Sequence, residues 1–315
     1  MKEFDVFTIK SIYRDDFRVR GYQFGEGEKT LCIVGAMRGN EQQQLYISSR
    51  IVKRLSELES RGMLDPAKEV LVIPCCNPYS VNISKRFWTI DNTDINRMFP
   101  GYNEGETTQR IAAGIFSSAQ QYSCGIQFAS FYLKGTFAPH VRMMETGFED
   151  VGMAMKFGFP YVVIRKPRPF DTTTLNYNWQ IWNTSAFSLY TTTTESIDPV
   201  SASRAVEAII RFLGVIGVVR GGSAKTSVQE DQGAGPLVVH DENLLNLRAD
   251  CAGFFETYVK AGDPVRKGQL LAILTDPYEG TEKSRITAPE DGAVLFMHLP
   301  GLAYADTSLF RLIVR

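Results

Sequence analysis

The stretch KTLCIVGAMRGNEQQ, from Lys29 to Gln43, decides the fold. Its first half, KTLCIVGA (Lys29 to Ala36), is a short apolar run that reads as a buried strand. The second half turns polar at once. From Asn40 to Leu58 the apolar residues Leu45, Ile51, Val52, Leu55 and Leu58 recur near the 3.6-residue period of a helix. A buried strand feeding an amphipathic helix is the building unit of a parallel sheet, and the pattern repeats downstream. EVLVIP (Glu69 to Pro74), CGIQFASFY (Cys124 to Tyr132), YVVIR (Tyr161 to Arg165) and AFSLYTTTTE (Ala186 to Glu195) read as strands. Thr107 to Tyr122, Phe148 to Phe157 and Val200 to Val215 read as helices, the last opening with Asp198-Pro199. The expected class is α/β, a mostly parallel mixed sheet flanked by helices. Such sheets bind ligands beyond the carboxyl ends of their strands, so a site is expected in the loops after Ala36, Pro74, Phe128 and Thr194.

The character changes at RGGSAKTSVQEDQGAGP (Arg220 to Pro236), a Gly/Ser-rich polar stretch that reads as a linker or exposed loop. Beyond it come short strands with turn signals and no helical period, which predicts an all-β module. The organisation expected is an α/β domain over 1–219, a linker over 220–236 and a C-terminal β-module over 237–315. GDPVRKGQLL (Gly262 to Leu271) resembles segments of biotinyl and lipoyl carrier barrels. The Met-Lys that those carriers expose for modification is missing, which favours a structural module.

Of 315 residues, 44% are hydrophobic and 22% charged, and 34 Lys+Arg against 35 Asp+Glu leave a formal charge of -1. That composition excludes a disordered, collagen-like or coiled-coil chain. The balance of charge argues against a nucleic-acid groove or a polybasic membrane patch. No apolar run approaches the roughly 20 residues that span a bilayer, and MKEFDVFTIKSIYRDD lacks the apolar core of a signal peptide. Five cysteines without a CxxC spacing point to reduced thiols and a cytoplasmic protein. A small-molecule partner is expected, with a homo-oligomer left open.

Three stretches fall where an α/β sheet places its site: GAMRGNEQQ (Gly35 to Gln43), NPYSVNISKRFWTIDNTDINRMFPG (Asn77 to Gly101) and TTTTES (Thr191 to Ser196). DINRMFPG is too polar for a core strand and sets Asn96 beside Arg97. Arginine holds a carboxylate through two parallel hydrogen bonds, and asparagine offers both a donor and an acceptor. An ordinary loop with a structural arginine is the other reading of the same residues.

Taken together, GxxxGNE after the first strand, the NPxxxxxxxR run ending at Arg86, D-x-N-R-x-F-P-G, a strand ending in Glu and the terminal β-module resemble the succinylglutamate desuccinylase/aspartoacylase family, of zinc carboxypeptidase-like fold. The resemblance covers roughly residues 30 to 315. It implies a zinc-dependent amidohydrolase acting on N-acyl amino acids or similar small amides. Zinc would be held by a His and a Glu written G-x-H-G-N-E and by a second His written D-L-H, with the metal lowering the pKa of its bound water to about 7. Carried onto this chain, Glu195 would act as general base and Arg86 would polarise the carbonyl. Asn96 and Arg97 would grip the substrate carboxylate, and Glu41 would be a metal ligand.

Here the chain departs from the family pattern. Arg38 stands at the first His position, and Gln127, Phe128 and Ala129 stand where D-L-H is written. Two of three expected ligands are replaced. The histidines are His140, His240 and His298, and of these only His140 lies near the pattern as a weak candidate. A guanidinium carries a permanent charge and cannot coordinate a metal, so Arg38 is expected to pair with Glu41 and fill the metal position as a substrate-facing cation. The alternative function is a catalytically inactive or reassigned relative that binds a small carboxylate without metal. Cys75 and Cys76, with no His nearby in sequence, are expected to be structural thiols. NYNWQIW (Asn176 to Trp182) is expected to line a ligand pocket or to pack against the sheet or a partner subunit.

Overall fold

The computed structural model describes residues 1–13, 15–220 and 235–314. Its large sheet has nine strands. β1 (Lys2–Ile9) and β2 (Phe17–Phe24) form an antiparallel edge, and β2 pairs antiparallel with β4. β3 (Glu28–Ala36) lies at the centre, parallel to β4 (Lys68–Cys75) on one side and β5 (Cys124–Phe128) on the other. A short β6 (Gly135–Phe137) leaves this sheet. β7 (His140–Met144), β8 (Tyr161–Arg165), β9 (Ser185–Tyr190) and β10 (Leu237–His240) complete it, in the order β1-β2-β4-β3-β5-β9-β7-β8-β10.

The helices are α1 (Gln42–Ser60), α2 (Pro78–Val81), α3 (Thr107–Ala119), α4 (Val151–Met155), α5 (Leu175–Ile181) and α6 (Pro199–Val215). Because strand side chains alternate, β3 feeds two cores. Leu31 and Ile33 pack with Ile47, Ile51 and Leu55 of α1 and Phe212 of α6. Cys32 and Val34 pack with Ile111 and Ile115 of α3 and Trp179 of α5. Burial on both faces explains why KTLCIVGA is apolar throughout.

Several elements differ from expectation. β5 stops at Phe128 and not at Tyr132: Ala129 N–H makes the last bond to β9, at the Leu189 carbonyl (2.9 Å), and from Ser130, whose hydroxyl donates to Glu41, the chain leaves the sheet. β9 stops at Tyr190 and not at Glu195. Its threonines bond locally, Thr192 Oγ1 to Asp198 Oδ2 and Thr193 Oγ1 to the Ser196 carbonyl, both at 2.7 Å, which makes TTTTES a loop. The helix expected over Phe148–Phe157 shrinks to α4, capped by Asp150, while Phe157 stacks on Phe212 at 4.1 Å. β1, β2, β7 and β10 were not foreseen.

The C-terminal strands are β11 (Leu244–Arg248), β12 (Gly253–Thr257), β13 (Pro264–Val265), β14 (Leu270–Thr275), β15 (Glu282–Thr287), β16 (Gly292–His298), β17 (Gly301–Ala303) and β18 (Ser308–Val314). They form two antiparallel sheets, β11-β18-β16-β13 and β15-β14-β12-β17, around Phe255, Leu271, Leu274 and Phe310. The module start expected at residue 237 falls on β10, which pairs with β8 of the large sheet, and the antiparallel strands begin at Leu244. Most of the stretch read as a linker lies outside the described residues. β6 pairs with β16, so the first unit lends a strand to the second. Among the described residues no helix is long and apolar enough to cross a membrane.

Candidate ligand site

Past the carboxyl end of β3 the chain turns at Gly39, where no side chain fits. A Cβ would meet the carbonyl carbon of Ser80 at 2.2 Å and the Lys85 oxygen at 2.3 Å. That close approach brings Arg38 and Glu41 against the loop carrying DINR. The carboxylate of Glu41 is buried and fully used. Its Oε2 accepts from the backbone of Met37 at 2.8 Å and of Arg38 at 3.1 Å. Its Oε1 accepts from Arg38 Nη1 at 2.9 Å and from the hydroxyl of Ser130.

Arg38 pairs with Glu41, as their spacing suggests, and with a second carboxylate that sequence reasoning missed. Asp94 takes Arg38 Nε at 3.0 and 3.1 Å and Nη2 at 2.8 Å. It also caps the Ile95–Arg97 turn by accepting from Asn96 N–H at 3.0 Å. The signal was present in DINR, since an Asp two residues before Asn96 has the spacing of a cap. Burial alone would depress the Arg38 pKa, but Asp94 and then Glu41 outweigh it and hold it above its ordinary value. Burial would likewise raise Asp94, and the Arg38 charge overrides that and lowers it. The guanidinium is a fixed, permanent cation between two anions.

A cavity of about 480 Å³ opens beside this triad. Arg86, Asn96 and Arg97 line it with Arg38. Asn96 Oδ1 accepts from Gln127 Nε2 at 3.1 Å and from Leu175 N–H at 3.2 Å. Arg97 donates to the Phe170 carbonyl at 2.6 Å and stands 3.7 Å from Asp171. Arg86 lies over the Phe87 ring and donates to the Phe131 carbonyl at 3.3 Å. Burial, then the neighbouring charge of Arg38, brings its pKa down to about 10. Asn176 also lines the cavity, while Trp179 of the same aromatic stretch is packed in the sheet's core.

Four further arginines, unforeseen from motifs, face the same space: Arg142 of β7, Arg165 of β8, Arg168 and Arg311 of β18. For Arg142, Arg165 and Arg311 the signal was an arginine in an otherwise apolar strand, as in HVRMM, YVVIR and SLFRLIV. Charged side chains are almost never fully buried unless paired, and these three are half-buried.

Other candidates stand apart. Glu195 is exposed, accepts from Asn40 Nδ2 at 3.0 Å and pairs with Lys134 at 3.4 Å. It lines a separate small cavity of about 60 Å³, which Arg86 also touches, and not the large one. His140 is buried, its Nδ1 donates to the Ala138 carbonyl at 2.8 Å, and its ring stacks on Tyr190 at 4.5 Å. Burial pushes its pKa down to about 3, so it is a neutral packing residue. His240 lies at the end of β10, and His298 ends β16 beside Phe255. Burial pushes Cys75 up to about 12 and raises Cys76 and Cys32, which makes them poor nucleophiles.

Zinc does not fit the residues at Arg38. Every carboxylate oxygen of Glu41 and Asp94 is engaged by N–H or O–H donors, and the guanidinium fills the space between them. Ala129, at the second His position, has no donor to offer. Among the described residues no three His, Cys, Asp or Glu side chains are grouped closely enough to hold a metal.

A nine-stranded mixed sheet with its pocket past the central strands, joined to an antiparallel β-module, defines the architectural class of this protein. Residues 27–128 match the model described as the succinylglutamate desuccinylase/aspartoacylase catalytic domain. A curated relative, the N-alpha-acetyl-L-2,4-diaminobutyric acid deacetylase of Halomonas elongata, is 23% identical over 88% of this chain and 79% of its own. A succinylglutamate desuccinylase from Silicibacter sp. TM1040 superposes with TM-score 0.78 at 18% identity, covering 99% of this chain and 93% of that one. A product-bound ectoine utilization protein from Ruegeria pomeroyi superposes with TM-score 0.75 at 19% identity, covering 95% and 90%.

Proposed function

We propose that this chain binds a small N-acyl amino acid or similar carboxylate in the arginine-lined cavity, without a metal at the Arg38 position. The observation that carries the reading is the Arg38 guanidinium held between Glu41 and Asp94. It puts a guanidinium, already balanced by two carboxylates, where the family pattern writes a zinc ligand, and an arginine cannot turn bound water into hydroxide as zinc does. Asn96 and Arg97 form the carboxylate grip, with Arg86 beside them. The grip is supported by their place on the cavity wall and by the family's Asn-Arg pair. Glu195, in the separate small cavity, has no activated water to act upon in this reading.

A second reading, a working deacylase, is favoured by the activity named for the Halomonas relative. Elemental analysis combined with calorimetric titration of N-acetyl amino acids separates the two. The proposed function expects less than stoichiometric zinc, heat of binding and no release of acetate. Near-stoichiometric zinc surviving mild chelation, with turnover, would defeat it. Arg38→His with Ala129→His is expected to create zinc binding where the parent has none. The five unpaired cysteines support a cytoplasmic setting. We further propose that the chain works as two units, the larger ending at β10 and the β-module beginning at Leu244, with the ligand cavity shared between them.

A further inference from the structure

The cavity holds more positive charge than one carboxylate can balance. Seven guanidiniums face it, against the carboxylates of Asp94, Asp171 and, behind Arg38, Glu41. The excess adjoins Asn96 and Arg97, since Arg97 and Arg165 share Asp171 and Asn176 follows Leu175, whose N–H donates to Asn96. There Arg142 lies over the Tyr190 ring at 4.8 Å and Arg311 over the Phe131 ring at 4.5 Å, with no carboxylate partner among the described residues. Arg165 is bound to Asp171 through Nη2, but its buried Nε has no partner. Burial, and with it the charges of Arg165 and Arg142, pulls the Arg311 pKa below its usual value. Asn176 is only 2% exposed and lines the cavity, and neither its Oδ1 nor its Nδ2 has a partner.

Crowding like charges in a desolvated place costs free energy unless an anion offsets it. An amide left without partners costs more again. We infer that Arg142, Arg165, Arg311 and Asn176 form a second anion subsite, and that it takes a phosphoryl group on the same small molecule whose carboxylate sits at Asn96 and Arg97. Guanidinium forks match phosphate oxygens, and a phosphate monoester carries a charge of about −1.5 to −2 at pH 7, nearer to the surplus than a second carboxylate. The first group rests on the carboxylate grip proposed above, and the second does not.

Titration calorimetry at low salt with N-acetylserine, N-acetylglutamate and N-acetyl-O-phosphoserine tests the inference. The phosphorylated ligand is expected to bind at least about thirtyfold tighter than N-acetylserine, the size of one or two charge-assisted hydrogen bonds. Arg311→Gln and Arg142→Gln, each checked for a native melting transition, are expected to cut that ratio about tenfold or more. If Arg311→Gln fails to fold, the Arg142→Gln ratio decides. A wild-type ratio within about threefold, or a ratio that neither variant changes, overturns the subsite. So does an equal gain from N-acetylglutamate, which would make it a carboxylate site. Binding of N-acetylserine without a phosphate gain would sink this inference alone. No binding of N-acetylserine beside tight binding of the phosphorylated ligand would sink the carboxylate grip alone.

Discussion

At the residue scale, Arg38 matters most because it is buried with Glu41 and paired to a half-buried Asp94. Arg38→Met would leave Glu41 and Asp94 without their cation, and breaking a buried pair costs about 3–5 kcal/mol. Urea unfolding at neutral pH should show a loss of that size. The pH dependence has two limbs. Asp94 is held below its ordinary pKa, so its stabilisation is present above the unfolded value and is lost as pH falls through the folded one, below about pH 4. His140 acts in a different window. It is neutral in the fold down to about pH 3, while the unfolded chain takes up a proton below its ordinary value of 6.5. Stability should therefore fall between pH 6.5 and 3, with a slope approaching about 1.4 kcal/mol per unit. His140→Phe should lose that slope and Arg38→Met should flatten the more acid limb, both measured by denaturant titration from pH 7 to pH 3.

At the element scale, the regular part of the sheet was legible because β3, β4 and β8 are buried on both faces and write that as unbroken apolar runs. The ends of β5 and β9 were not legible. ASFY and TTTTE have strand composition, yet Ser130 bonds to Glu41, Phe131 accepts from Arg86 and the threonines bond within their own loop, contacts that only the folded chain supplies. β7 carries its arginine into the cavity, which interrupted the pattern that would have shown it. The site divides in the same way. GNE and DINR lie in loops whose composition stands out, whereas Arg142 and Arg311 sit in strands where only their neighbours' apolarity marks them. Gly39 is the hinge of the legible half. Gly39→Ala would drive a Cβ into the Ser80 and Lys85 backbone, and overpacking of that kind costs about 1–3 kcal/mol. Thermal unfolding should show the loss, and ligand affinity should fall with it, because the turn that aims Arg38 cannot keep its place.

At the scale of the whole molecule, a chain of formal charge −1 concentrates seven arginines on one cavity, so the surface balances what the pocket accumulates. Attraction of an anion into such a cleft is screened by salt. Raising sodium chloride from about 20 to about 200 mM should weaken binding of a small acid several-fold. Arg97→Ala should weaken it by about 1.5–3 kcal/mol, the range for hydrogen bonds to charged groups. The β-module enters the same balance through Arg311, and what holds Arg311 in place is an aromatic joint. Phe131 carries the guanidinium on its face and packs edge-on against Phe137 of β6 and Phe296 of β16. Phe296 is fully buried and does not line the cavity. Phe296→Ala should cost about 3–5 kcal/mol as a core cavity, and it should also lower ligand affinity by loosening the face on which Arg311 rests. Phe255→Ala is the control, since Phe255 is equally buried within the module's own core and touches none of that joint. The expected outcome is a similar loss of stability in both variants, with a loss of affinity in Phe296→Ala alone. Equal affinities in the two would mean that the module stabilises the chain without positioning its ligand.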